Sequence, residues 1–207
     1  MTKRLIALDT LAQIYQTDKR EHGYLPHYEK YLPDKCRWLL EIGVAHGQSL
    51  HLWNDLYGTD CEISAIDLFE DPEHKSPRWC RRNEYIPYIG DQSDTNFLYT
   101  LRTKFEVIID DGSHNADHQW ISFKHLFLNN LRSGGLYVTE DLHCNKEPFY
   151  CQSIKRFEDT MLYVFKNYEK NKIPVSDMFT AQEAEDISSI IADVKVCDDK
   201  IVFIWRK

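Results

Sequence analysis

WLLEIGVAHGQS, residues 38–49, decides the fold. Residues 38–42 form an apolar run of strand length. Gly43 and Gly47 bracket a turn, and residues 47–57 then repeat Leu50, Trp53 and Leu56 or Tyr57 at helical spacing. A strand, a glycine-bearing turn and a helix N-terminus build a nucleotide-side crevice at the carboxyl edge of a parallel sheet. The unit recurs downstream. Residues 62–68 (EISAIDL), 105–109 (FEVII) and 135–139 (GLYVT) read as strands. Residues 85–89 (YIPYI) read as a shorter, edge-like strand because of Pro87.

Helices are expected between these strands at 94–103 and 116–131. The second sets Trp120, Phe123, Phe127 and Leu131 on one face. A long helix is expected within 152–171. Strands at 189–196 and 201–205 follow, joined by the tight turn Cys197-Asp198-Asp199-Lys200. That turn is too short for a crossover helix, so the last pair must be antiparallel. Strands alternating with helices imply a mostly parallel sheet with helices on both faces. No repeat, low-complexity tract or linker interrupts the chain. Residues 1–207 therefore read as one domain, with 1–35 an N-terminal addition rich in Tyr and His.

Composition narrows the function. Hydrophobic residues make up 43% of 207, enough for a real core. The balance of 25 basic against 33 acidic residues gives net −8, which argues against a nucleic-acid partner. No segment approaches the ~20 apolar residues of a membrane span, and the first apolar run stops at Asp9, too early for a signal-peptide core. The six cysteines form no C-x-x-C pair and read as reduced thiols of a cytoplasmic protein.

Two clusters carry chemistry. In the first, Glu41, Gly43, Gly47 and Ser49 surround the first turn, Asp67 closes the second strand and Asp91-Gln92-Ser93 closes the third. Ala45 stands where a dinucleotide fingerprint has its middle glycine, which weakens a pyrophosphate reading. Asp67 suits ribose hydroxyls, and Gln92 sits at adenine height. The second cluster is Asp110, Asp111, Gly112, Ser113 and His114 with Glu140 and Asp141, at two neighbouring strand ends. Asp111, Glu140 and Asp141 would repel one another unless basic partners or a hard divalent cation such as Mg²⁺ neutralised them. His114 suits a general base near neutral pH. The plainer reading is a solvated turn with a helix cap at Ser113 or Asn115.

These stretches resemble the class I S-adenosylmethionine-dependent methyltransferases, in particular the macrocin/mycinamicin type of sugar O-methyltransferase. The similarity lies in TDK…HGYLPHYEKYL (17–32), LLEIGVAHGQSLHLW (39–53), AIDLF (65–69), GDQSD (90–94), FEVIIDDGSHNADHQWISFKHLF (105–127) and LRSGGLYVTEDLH (131–143). The resemblance implies a Rossmann-like α/β fold with a seven-stranded sheet and a C-terminal antiparallel hairpin, residues 1–35 capping the cofactor and acceptor site. It implies S-adenosylmethionine bound by Thr17, Glu41, Gly43, Gly47, Ser49, Asp67, Gln92 and Asp110. Mg²⁺ would sit on Asp111, Glu140 and Asp141, and His114 would take the proton. The implied partner is a small-molecule sugar or glycoside, with a homo-oligomer left open. Catechol-like acceptors and a cephalosporin-hydroxylase-like chemistry are the alternatives.

Several residues keep two readings. Tyr24, His27 and Tyr28 suit either a sugar pocket or helix packing. His118 suits the acceptor or solvent. Lys75, Arg78, Arg81 and Arg82 form a basic loop that suits solvent or an acidic acceptor. An NAD-type dehydrogenase is the competing enzyme reading, and hydride transfer gives no role to the acidic triple. A non-catalytic scaffold gives His114 and the three acids no role either.

Overall fold

A computed structural model of the chain describes residues 7–68 and 85–207. The basic loop at Lys75 to Arg82 lies outside the described residues. The elements run α1 (Leu8–Tyr15), α2 (Leu25–Tyr31), β1 (Trp38–Ile42), α3 (Gln48–Tyr57), β2 (Glu62–Asp67), β3 (Tyr85–Ile89) and α4 (Thr95–Thr100). They continue through β4 (Phe105–Asp110), α5 (Ala116–Asn129), β5 (Leu131–Thr139), α6 (Met161–Lys166), α7 (Tyr168–Asn171), α8 (Ala181–Ile190), β6 (Ile191–Cys197) and β7 (Ile201–Arg206). One seven-stranded sheet has the order β3-β2-β1-β4-β5-β7-β6. Strands β1 to β5 pair in parallel, and β7 pairs antiparallel with both β5 and β6. This is the class I methyltransferase fold. Pro87 lies in β3 at the sheet edge, where its missing N–H costs no ladder bond.

Side-chain alternation splits the sheet into two cores. Leu40, Ile42, Ile108, Tyr137, Val202 and Ile204 face α4, α5, α6 and α8. Leu39, Ile63, Val107, Ile109, Val138 and Phe203 face α1, α2 and α3. The expected α5 face is buried in the first core through Trp120, Phe123 and Phe127. Leu131 joins that core too, but as the first residue of β5. The hairpin turn closes with Lys200 N–H donating to the Cys197 carbonyl at 3.0 Å. Asp198 and Asp199 both take positive φ, the pairing that matches the twist of a tight hairpin. Among the described residues the cysteines are free, and no helix is long and apolar enough to cross a membrane.

Two expectations are corrected. No long helix fills 152–171. Short 3₁₀ turns at Pro148–Cys151 and Phe157–Asp159 precede α6 and α7. Extended Thr160 starts α6 afresh by accepting from Tyr163 N–H, and left-handed Lys172 ends α7. The strand expected from 189 begins at Ile191, because 189–190 finish α8. That helix opens on a capping box in which the Thr180 hydroxyl and the Glu183 carboxylate satisfy each other's backbone N–H.

Asp159 anchors the broken segment. Its carbonyl accepts from Trp120 Nε1 at 2.7 Å, and its carboxylate accepts from Arg156 Nε at 2.8 Å, Asp177 N–H at 2.8 Å and Ser176 Oγ at 3.1 Å. The Arg156 hydrogen bond leads in holding its carboxyl down at about 2. The folded value lies below the unfolded ~3.9, so this stabilisation is present above pH 4 and is lost as pH falls through 2. Asp159→Asn should therefore lower Tm by a few degrees at pH 7, with the deficit closing near pH 2. Thermal melts of both proteins across that range check it; a deficit independent of pH would remove the carboxylate from the account.

Candidate functional site

The carboxyl ends of β1, β2, β3 and β4, with residues 16–18 of the N-terminal segment, enclose a cavity of about 560 Å³. That volume is in the range of small-molecule clefts. Thr17, Gly43, Ser49, Asp67, Gln92, Asp111 and His114 line it, as do Asp91 and His118. Glu41, Gly47, Asp110, Glu140 and Asp141 do not lie among its lining residues.

Gly43 shows why β1 ends as it does. Its φ is +86°, and a Cβ there would lie 2.0 Å from the Asp111 carbonyl oxygen. Only glycine lets the ends of β1 and β4 approach this closely. Asp67 reaches back across the turn, accepting from Val44 N–H at 2.8 Å and from Leu68 N–H at 2.6 Å. It thereby pins the glycine turn and still borders the cavity. Gly47 takes φ +80° as the N-cap of α3.

Gln92 and Asp110 belong to one buried network. Gln92 Nε2 donates to Asp110 Oδ1 at 3.0 Å, and Gln92 Oε1 accepts from Ser113 N–H at 2.8 Å. Asp110 also accepts from Ser122 Oγ at 2.5 Å and from Tyr137 OH at 3.3 Å. Burial pushes the Asp110 carboxyl up, opposed by the Ser122 and Gln92 hydrogen bonds. Asp110 thus supports the cavity floor from beneath.

The acids at the other end are sorted by a residue the sequence reading passed over. Lys19 is fully buried, and its Nζ lies 2.6 Å from Asp111 Oδ2, 2.8 Å from Glu140 Oε1 and 3.4 Å from Glu41 Oε1. Burial works against the ammonium, but the three carboxylates outweigh it and hold Lys19 protonated well above its ordinary range. Ser49 Oγ at 2.8 Å and Trp53 Nε1 at 3.1 Å satisfy the other Glu41 oxygen. The Tyr28 hydroxyl donates to Glu140, and Tyr24 OH donates to Asp141 Oδ1 at 2.6 Å. Burial and these carboxylates keep both phenols protonated. Tyr24 and Tyr28 are thus buried braces of the acids, while His27 pairs with Asp198 at 2.7 Å. The available clue was chemical: four carboxylates at strand ends require a cation, and TDK supplies one.

Asp141 stands apart from Lys19. Three imidazoles surround it at 3.6 Å: His22 and His143 through Nδ1, and His114 through Nε2. Ligand-capable atoms of Asp111, His114 and Asp141 lie within 4.8 Å of one another. His114 Nδ1 is buried without a hydrogen-bond partner among the described residues. Both His114, at φ +59°, and Asp141, at φ +55°, adopt the left-handed backbone that L-residues enter at a cost of about 1–2 kcal/mol. His118 faces Ser113, with Nδ1 at 2.9 Å from its hydroxyl.

No family model matches the chain. An L-olivosyl-oleandolide 3-O-methyltransferase of Streptomyces antibioticus is 33% identical over 158 residues, 69% of this chain and 39% of that protein. A demethylmacrocin O-methyltransferase of Streptomyces fradiae is 34% identical over 151 residues, 65% of this chain and 36% of that protein. The chain is a homologue of the macrolide-sugar O-methyltransferases. The matched stretch takes in less than half the length of these relatives. The MycE methyltransferase of the mycinamycin biosynthetic pathway, solved with Mg, SAH and mycinamycin VI, superposes on 98% of this homologue and 55% of its own chain. The TM-score is 0.77 at 26% identity.

Gly43→Ala should cost about 3 kcal/mol, combining left-handed backbone strain with the clash against Asp111. Urea unfolding measures it; an unchanged midpoint would contradict the close approach of β1 and β4.

Proposed function

We propose that this chain transfers the methyl group of S-adenosylmethionine to a hydroxyl of a sugar or glycoside, assisted by a divalent cation such as Mg²⁺. One observation carries the reading. A cofactor-sized cavity ends at His114 and Asp111, and Asp141 stands beside both. The relatives' activities and the MycE complex with Mg and SAH point the same way.

On this reading Asp67 takes the ribose hydroxyls with the oxygen lone pairs its two amide contacts leave free. Gln92 and Asp91 bound the adenine end, and Thr17 and Ser49 border the methionine end. Gly43 and Gly47 shape the turn, while Glu41 and Asp110 hold the walls from outside the cavity. The donor set fits a hard cation through the carboxylate oxygens of Asp111 and Asp141, which converge beside His114. Asp111 and Asp141 would hold it, with Glu140 behind them. When bound, such a cation acidifies a coordinated hydroxyl.

His114 then accepts the hydroxyl proton, and Asp141, 3.6 Å from Nε2, stabilises the resulting imidazolium. The freed oxygen forms a bond to the methyl carbon as the carbon–sulfur bond breaks, leaving the neutral thioether. The cavity walls fix the line of attack, where positioning supplies a large part of the rate. With free cysteines and no membrane-crossing helix among the described residues, we read the protein as cytoplasmic.

Transfer of a labelled methyl group to a panel of glycosides tests the reading. Turnover should vanish in EDTA and return with Mg²⁺ or Mn²⁺; full activity after exhaustive chelation would reduce the acids to structure. Asp67→Ala should weaken S-adenosylhomocysteine binding about 10- to 100-fold, the worth of a hydrogen bond to a charged group. Calorimetry reads that directly, and an unchanged Kd would sink the pocket assignment. His114→Ala should cut turnover by about 10²–10⁴-fold with cofactor affinity nearly intact. A folded variant with near-normal turnover would move the base to His118 or His143.

A further inference from the structure

Two aromatic side chains stand outside the cofactor cavity, on the 3₁₀ turn at Pro148–Cys151. The Tyr150 ring meets the His114 imidazole edge-on, with 6.3 Å between centroids. The Phe149 ring stands perpendicular to Tyr150 at 5.1 Å. Phe149 is 69% exposed and belongs to neither core. A single exposed apolar side chain is ordinary on a protein surface. This one is set apart by its neighbour and by its support. One ring separates it from His114, and the turn that carries it is rooted. Pro148 fixes φ at the start of the turn, and Tyr150 N–H donates to the Glu147 carbonyl at 3.1 Å. Cys151 Sγ donates to the Asn145 carbonyl at 3.1 Å, and buried Asn145 donates through Nδ2 to Gln119 Oε1 at 3.0 Å. Gln119 Nε2 in turn donates to the Glu140 carbonyl at 3.3 Å. A large ring is thus held in water by a support tied to the strand end at Glu140, forgoing the burial energy a Phe ordinarily contributes.

We infer that Phe149 and Tyr150 form the acceptor platform, on which the C–H face of the sugar ring bearing the reacting hydroxyl stacks. The inference rests on reading His114 as the base of a sugar O-methyltransferase. A pyranose carries hydroxyls around its rim and C–H groups on its faces. Those hydrogens are weakly positive and match the negative face of an aromatic ring. Two perpendicular rings make a corner where one ring would make a flat wall, so a sugar seated there is fixed both in tilt and in lateral position. That restraint serves the chemistry, because a base takes a proton only from a hydroxyl within hydrogen-bond reach. Two successive ring contacts, Phe149 to Tyr150 and Tyr150 to His114, set the reach. Phe149 is the outer member and Tyr150 the member next to the imidazole.

Saturation-transfer NMR with the methyl glycosides of rhamnose, fucose and glucose, saturating the protein's aromatic protons, tests the platform without turnover and without an aglycone. At least one glycoside should receive saturation at its ring C–H protons. Phe149→Ala should weaken that glycoside's binding at least about fivefold, and Phe149→Trp should hold it within about threefold of wild type. Phe149 is exposed, so neither variant threatens the fold. In methyl transfer to the same glycoside, the Phe149→Ala loss should fall on acceptor KM more than on kcat. Absence of saturation with all three glycosides overturns the inference, as does equal binding by Phe149→Ala. A change in oligomer mass by light scattering, with sugar binding intact, would make Phe149 a subunit contact and overturn it too. S-adenosylhomocysteine titrations separate this claim from the reading beneath it. Sugar binding that depends on Phe149 in a protein that binds no S-adenosylhomocysteine would fell the methyltransferase reading and leave a sugar platform. Methyl transfer indifferent to Phe149→Ala would do the reverse.

Discussion

The buried ammonium of Lys19 is the constraint on which the site depends. β1, β4 and β5 deliver Glu41, Asp111 and Glu140 to one place, and three carboxylates cannot stay there alone. A buried ion cluster of this kind adds little net stability, because desolvation offsets most of the attraction. Removing the cation is a different matter, since it strands charges in a dry interior at about 3–5 kcal/mol. Such an arrangement contributes placement more than stability. It fixes residues 17–28 over the strand ends, and with them Thr17 at the cavity and the two tyrosines on the acids.

Strand parity determines which acid goes where. In β1, Glu41 shares the side of Leu39, facing α1 to α3; one residue past β5, Glu140 continues the side of Val138. Lys19, Ser49, Trp53 and Tyr28 meet them there. Asp110 continues the side of Ile108 and enters the opposite core, where Ser122, Gln92 and Tyr137 receive it. Asp110 and Asp111, adjacent in sequence, therefore have unrelated jobs. The backbone then departs from strand geometry at Ala45, His114 and Asp141, each left-handed and each just past a parallel strand. Strain concentrated at three strand ends of one edge, and held by the packed sheet beneath, is a mark of a site whose side-chain directions matter.

Much of this was legible before any coordinates. The alternation of WLLEI, EISAID and FEVIID with helical spacing gave the parallel sheet, and the short Cys197 to Lys200 turn gave the antiparallel close. Parity could have been carried further, since it separates Asp110 from Glu140 without coordinates. The Thr180–Glu183 capping box was equally present in the sequence as a helix start. Residues 152–171 misled for a physical reason. Their apolar spacing is helical, but Asp159 and Trp120 hold the backbone open through tertiary hydrogen bonds that no local pattern encodes. Lys19 was hidden for the same reason: its partners lie 92 and 121 positions away.

The site is thus built from two kinds of support. The cavity walls hang on strand ends whose spacing Gly43 and the Asp67 amide contacts fix rigidly. The acidic end is shared between those strands and the N-terminal segment. His22, on that segment, and His143, after β5, stand half-exposed beside the same Asp141 oxygen, outside the cofactor cavity. On the proposed reading, a cofactor enters against the rigid wall and an acceptor approaches across the histidine rim. Asp111, His114 and Asp141 are where the two approaches meet. A reaction that joins a small enclosed donor to a larger, exposed acceptor needs that asymmetry, with a fixed side to aim the methyl group and an open side to admit the glycoside.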